Sequence, residues 1–192
     1  MLVFYRKILQ PPRDHFIIII EITLNTAYII CGNPGVGKTT YARKFAHKLN
    51  ACCLDIDIVT ERLVKTSLRK MNHNENDRDS AFFKETFRTT IYETLFDIAI
   101  ENLKFNDVII SAPFTKELSN PNWLDDLRKR LNTTVEIHLL VCPLSVQHKR
   151  LIERASPRDH DKLKNWESYI TYYEDIKRPS FSHTFIDTSL HP

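Results

Sequence analysis

Glycine is scarce in this chain: 192 residues carry only three, at positions 32, 35 and 37. Freedom to turn through left-handed backbone is therefore concentrated in one short stretch, and turns elsewhere fall to other residues. Four cysteines (Cys31, Cys52, Cys53, Cys142) form no C-x-x-C pair, which argues against a zinc site or a disulfide framework. Cys31 and Cys142 fall at the ends of apolar runs and read as buried thiols in a reducing compartment. His148, His160 and His183 lack ligand spacing, so no transition-metal centre is expected. No long hydrophobic run exists. FIIIIEITL (residues 16–24) is interrupted by Glu21 and falls well short of the roughly 20 apolar residues of a membrane span. It also lacks the longer clean core and small-residue cleavage site of a signal peptide. Charge of one sign is missing too: 27 basic against 24 acidic residues leave +3, which argues against nucleic acid as the partner. Repeats and low-complexity tracts are absent. What is present is 42% hydrophobic residues, enough to bury the core of one cytosolic α/β domain.

The three glycines explain the scarcity elsewhere. Thr26 to Thr40 reads TAYIICGNPGVGKTT, and Gly32 to Thr39 fits G-x-x-x-x-G-K-[ST]. A β-branched apolar run, Ala27 to Cys31, precedes it, and an amphipathic run (Tyr41, Phe45, Ala46, Leu49) follows. Strand, loop and helix in that order are the setting a phosphate-binding loop requires. Without Cβ atoms at the glycines, the backbone N–H groups of Asn33, Pro34's neighbours, Gly35, Val36, Gly37, Lys38, Thr39 and Thr40 can curl around a β-phosphate. The following helix points its positive end at the same anion. Lys38 would reach the β- and γ-phosphates, and the Thr39 hydroxyl would ligate Mg²⁺.

Along the chain, residues 1–25 form an N-terminal extension of unassigned role: basic, broken by Pro11 and Pro12, then an exposed or edge strand. From 26 to 192 the pattern predicts one domain. Ala51 to Asp57 reads as a short strand ending in two acids, and Ile58 to Val64 continues as helix. The polar stretch 71–80 is a loop in which Asp79 and Ser80 can cap a long helix, Ala81 to Leu103. Phe83, Phe87, Ile91, Leu95 and Ile98 recur at helical spacing and mark its core face. Further strands are expected at 107–114 (running into a loop), 135–142 and 183–187, with a helix or helical loop at 118–131 interrupted by Pro121 and helices at 144–155 and 162–175. Alternation of β and α predicts a parallel sheet covered on both faces.

Ligands bind at strand carboxyl ends in such sheets. Asp55 and Asp57, two apart, can approach the loop together: one carboxylate for Mg²⁺ or its water, another to orient an acceptor hydroxyl. An N-cap at a solvated strand end is the alternative. After Val108–Ile110 an acid would be expected, yet Ser111 stands there, so the metal depends on Thr39 and Asp55. Arg150 and Arg154 share a helix face and Arg158 follows Pro157 in the polar run SPRDHDK. These arginines can clamp phosphate and neutralise transition-state charge from a small lid at about 145–165. Arg88 could reach a substrate or pair at the surface. With Arg62, Arg69, Arg78 and Lys116 nearby, it suggests an anionic acceptor.

Together GNPGVGKTT, LDID, KRLIERASPRDHDKL and Ile186-Asp187-Thr188-Ser189 resemble the P-loop kinases of small molecules. That group includes shikimate and gluconate kinases, chloramphenicol phosphotransferase and the zeta-toxin-like and AAA-domain kinases. The resemblance implies a three-layer α/β/α sandwich of the P-loop NTPase type, with a five-stranded parallel sheet in the order 2-3-1-4-5 and a helical lid. It implies ATP and Mg²⁺ as cofactors, Asp55 as partner of a metal-bound water and Asp57 as the base that binds the acceptor. It also places Arg150 and Arg154 near adenine and phosphates, Arg158 as a closing arginine, and the Thr188 backbone beside adenine. The expected activity is γ-phosphate transfer to a small-molecule hydroxyl. An ATPase or switch module acting on a protein partner, a polynucleotide 5′-hydroxyl kinase and a nucleoside monophosphate kinase remain as rivals at this stage.

Overall fold

A computed structural model describes residues 24–174 and 179–190. The strand expected within the N-terminal extension lies outside the described residues. Five strands, β1 (Ala27–Cys31), β2 (Cys52–Asp55), β3 (Val108–Ser111), β4 (Val135–Val141) and β5 (Thr184–Asp187), form one parallel sheet in the order β2-β3-β1-β4-β5. The helices are α1 (Lys38–Leu49), α2 (Ile56–Lys70), α3 (Ala81–Asn102), α4 (Trp123–Leu131), α5 (Leu144–Arg154), α6 (His160–Lys164) and α7 (Trp166–Glu174).

Side chains alternate faces along each strand, so the sheet carries two cores. Ile30, Ile109 and Leu140 pack under α1 against Ala42 and Ala46. Ile29, Ile110 and Ile137 face the other way, against Leu95, Phe96 and Ala99 of α3 and Leu124 and Leu127 of α4. Burial on both faces explains why β1 and β3 read as unbroken apolar runs instead of alternating ones. No helix among the described residues is long and apolar enough to cross a membrane. With glycine confined to one loop, asparagine takes the left-handed position after α1 (Asn50, φ 52°) and after α4 (Asn132, φ 49°).

Two elements differ from the pattern read in the sequence, and a third breaks where it was expected to. The segment 118–131 is interrupted at Pro121, into a 3₁₀ turn, Glu117–Ser119, and α4. Pro121 is the cause: it pushes Asn120 to extended backbone (φ −86°, ψ 113°) and the chain must restart. The helix expected over 162–175 is divided at Asn165, whose φ of −114° and ψ of 43° leave the helical region between α6 and α7. Strand β2 stops at Asp55, so Asp57 is not a strand residue but lies in the first turn of α2. Asp55 ends the strand because its own carboxylate caps the helix, accepting the Asp57 N–H at 3.0 Å.

Candidate functional site

The loop between β1 and α1 takes its shape from two glycines in particular. Gly32 has φ 134°, and any Cβ there would run into the Leu140 carbonyl of β4. Gly37 occupies the N-cap of α1 with φ 89°, a left-handed position that lets the helix begin at Lys38 itself. Lys38 folds back over the loop, its Nζ donating to the carbonyls of Gly32 (2.8 Å) and Asn33 (2.9 Å). Burial pushes its ammonium down to about 8, opposed by the nearby carboxylates of Asp57 and Asp55.

Thr39, in the first turn of α1, donates its hydroxyl to Asp55 Oδ2 at 2.7 Å. Asp55 is 5% exposed, and its other oxygen holds the Asp57 amide, so both carboxylate oxygens are oriented. Asp57 is half exposed and points its Oδ1 at Arg158 Nη1, 2.8 Å away. Asp55, Asp57, Lys38, Thr39 and Arg158 line one cavity of about 750 Å³. Pro34, Gly35, Gly37 and Thr40 of the loop also line it, whereas Asn33 and Val36 do not, Val36 being 1% exposed in the core beneath.

Residues from α5 to α7 cover the opposite side. Arg150 and Arg154 both line the cavity from α5. Arg150 donates through Nη2 to the Thr188 carbonyl at 2.6 Å, and the buried Thr188 hydroxyl donates to the Val36 carbonyl at 2.7 Å. Thr188 therefore ties the segment after β5 to the underside of the phosphate-binding loop. Arg154 grips Asp159 through Nε at 2.8 Å and Nη2 at 2.5 Å, and Asp159 is 1% exposed. Lys162 of α6 donates to Asp79 at 2.6 Å, and Tyr169 of α7 reaches the Pro34 carbonyl at 3.4 Å. Ion pairs from Arg158 and Lys162 thus join this segment to α2 and to the loop before α3.

Arg88 lines the cavity from α3, but its guanidinium makes a paired contact with both Glu117 oxygens (3.0 and 2.9 Å) and lies over the Tyr92 ring at 4.9 Å. Tyr92 in turn accepts the Phe114 N–H at 3.4 Å. Phe114 is fully buried and bent to φ 51°, which turns the chain after β3 so that Thr115 faces the cavity.

A conserved-domain match to the AAA domain spans residues 28–176, most of the chain. The chain belongs to the AAA domain family. A search of the curated proteins finds no match. Among solved structures, the fold is similar to a putative kinase from Chloroflexus aurantiacus (19% identity, 88% of each chain covered, TM-score 0.59). It is similar also to a gluconokinase from Sinorhizobium meliloti (16%, 88% and 85% covered, TM-score 0.53) and to a shikimate kinase from Bacteroides thetaiotaomicron (18%, 85% of each, TM-score 0.51). At these identities the likeness is one of fold: the expected sandwich, with its 2-3-1-4-5 sheet, is the fold of P-loop small-molecule kinases.

In this AAA-domain chain Lys38, Thr39, Asp55, Asp57, Arg88, Arg154 and Arg158 line the same cavity; of the other cations named for an acceptor Arg78 lines it too, whereas Arg62, Arg69 and Lys116 do not. The sequence reading missed their partners. Asp159 lay unremarked in the run SPRDHDK, although an acid five residues after Arg154 was the available signal. Of the two caps the sequence offers for α3, Ser80 serves, accepting the Phe83 N–H, while Asp79 holds Lys162 instead. Glu117, the partner of Arg88, comes from an element 29 residues away and left no local trace.

Proposed function

We propose that the protein is a kinase that uses ATP and Mg²⁺ to phosphorylate a hydroxyl group of a small molecule. The observation that carries this reading is the Thr39–Asp55–Asp57 chain: a buried carboxylate bonded to the loop hydroxyl on one side and to the amide of an exposed, cavity-facing carboxylate on the other. The first half suits a cation on phosphate and the second suits an acceptor alcohol.

Thr39 and Asp55 fit Mg²⁺ by the chemistry of their donors. Both offer oxygen, they stand 2.7 Å apart, and one carboxylate leaves most of an octahedral shell to water and phosphate, as this cation prefers. When bound, Mg²⁺ would neutralise charge on the β- and γ-phosphates. The loop amides and Lys38 would bind those phosphates; Asp57 would orient the acceptor hydroxyl and take its proton. Arg158, now on Asp57, would exchange that carboxylate for transferring phosphate oxygens. Arg154 would be held at the phosphates by Asp159, and Arg150 would shape the nucleotide end through Thr188. The segment from α5 to α7 would serve as a lid that excludes water, which would otherwise consume ATP without transfer.

Incubation with γ-labelled ATP, Mg²⁺, a metabolite extract and a 5′-hydroxyl RNA oligomer tests the proposal. Label should appear on a small organic acceptor. Lys38→Ala should abolish turnover, and Asp57→Asn should reduce transfer roughly 100-fold or more while nucleotide still binds. Label on the oligomer would point to a polynucleotide kinase. Label released only as inorganic phosphate, equally with and without Asp57, would replace the kinase by an ATPase module.

A further inference from the structure

Strand order gives the cavity two ends. Helix α5 and Thr188 follow β4 and β5, on one side of the phosphate-binding loop after β1. Asp57 and Thr115 follow β2 and β3, on the other side, and α3 lines that end with Phe83, Arg88, Ile91 and Tyr92. An acceptor would meet Asp57 here. The cations at this end, which in the sequence suggest an anionic acceptor, are held by the protein itself. Arg88 is gripped by both oxygens of Glu117, and Lys162 is bound by Asp79. Arg78 is bound by Glu61 at 3.0 Å and by the carbonyls of Glu75 and Asp77. Lys84, which also lines this end, is not without a partner either.

What this end offers instead is a hydroxyl. Tyr92 lines the cavity and is 9% exposed; its oxygen accepts the Phe114 N–H at 3.4 Å, which leaves its own hydrogen to donate. Burial pushes this hydroxyl up to about 12, and Glu117 and Asp57 add to the rise against the pull of Arg88, so it stays protonated at neutral pH. The ring is fixed by its neighbours: Arg88 lies over it at 4.9 Å, and the Phe114 ring packs against it at 5.0 Å between centroids. Phe114 itself is held at φ 51°, a conformation that a bulky residue keeps only where its surroundings enforce it, as at ligand sites. A donor so fixed discriminates, because a pocket built to hydrogen-bond a substrate oxygen rejects a molecule that lacks it. A substrate anion is disfavoured in this place: Glu117 already neutralises Arg88, and the Asp57 carboxylate would repel it.

We propose that Tyr92 is a specificity-determining residue for the acceptor: its hydroxyl donates to an uncharged oxygen, so the substrate is a neutral alcohol with a second oxygen besides the hydroxyl that meets Asp57. This rests on the kinase reading above and names the class of its acceptor. Glu117 is a positioning residue: it holds Arg88 over the Tyr92 ring and keeps that charge from an incoming anion.

A metabolite extract separated by ion exchange at neutral pH gives two probes, its neutral and its anionic fraction. With γ-labelled ATP and Mg²⁺, the natural chain should label a compound of the neutral fraction. Tyr92→Phe, which keeps the ring, should raise the amount of that fraction needed for half-maximal rate roughly tenfold or more, with maximal rate and ATP affinity little changed. Glu117→Gln, which releases Arg88, should gain transfer to compounds of the anionic fraction, a result that mere loss of structure would not give. Label from the natural chain mainly on anionic compounds would overturn the assignment and leave the kinase reading standing. So would an unchanged half-saturating amount in a Tyr92→Phe protein that melts as the natural chain does. Where Tyr92→Phe does not fold, Glu117→Gln decides alone, and no gain on the anionic fraction overturns the assignment. Label on no compound at all would remove the kinase reading as well.

Discussion

His138 lies on β4 under α1, 6% exposed, with its Nδ1 2.9 Å from the Tyr41 hydroxyl and the rings of Phe45 and Tyr28 against it. Burial pushes the imidazole below its ordinary 6.5, while Glu136, 3.9 Å from Nε2, partly restores it. The native state therefore holds His138 neutral where the unfolded chain takes up a proton. With more protons bound when unfolded, stability falls as pH drops below about 6.5, by at most about 1.4 kcal/mol per pH unit from this group. Urea unfolding at pH 7.5 and 5.5 should show that loss, and His138→Phe should flatten it. An equal slope in both proteins would assign the acid sensitivity to the carboxylates instead.

The segment from α5 to α7 owes its form to charges that would be poor stabilisers in water. α6 has only five residues and no buried side chain of its own, so propensity and packing cannot hold it. What holds it is Asp159, sealed beneath Arg154, with Lys162 on Asp79 and Arg158 on Asp57. Breaking a buried pair strands a charge at a cost of about 3–5 kcal/mol, but Arg154 stays 41% exposed and can rehydrate, so Asp159→Ala should cost roughly 1–3 kcal/mol. The loss should be local. Hydrogen exchange should quicken across residues 155–165 of the variant while the strands keep their protection. Uniform quickening throughout the chain would show instead that this segment unfolds only with the whole.

For the molecule as a whole, Gly32 joins sheet and site: its amide meets the Pro113 carbonyl at 3.4 Å, and its α-carbon passes the Leu140 carbonyl too closely for any side chain. Gly32→Ala should destabilise the fold by roughly 1–3 kcal/mol from backbone strain alone, lowering the urea midpoint without changing the slope, and should weaken nucleotide binding together with it. An unchanged midpoint would mean that β1 and β4 part easily. Local chemistry made much of this architecture legible in advance. The motif Gly32–Thr39 needs no distant partner to bend, the apolar runs of β1 and β3 read as strands covered on both faces, and Asp79 and Ser80 mark the start of α3. The sequence by itself thus determined the alternating β and α order, the phosphate-binding loop and the set of residues at the strand ends. Tertiary structure alone decided their partners, because those contacts join elements far apart in the chain. Thr39 meets Asp55, Arg88 meets Glu117, Lys162 meets Asp79, and Ser111 stands beside Asp55 only once β3 has entered the sheet between β2 and β1. Periodicity reports which face of an element is apolar; it carries no record of which element will lie against it.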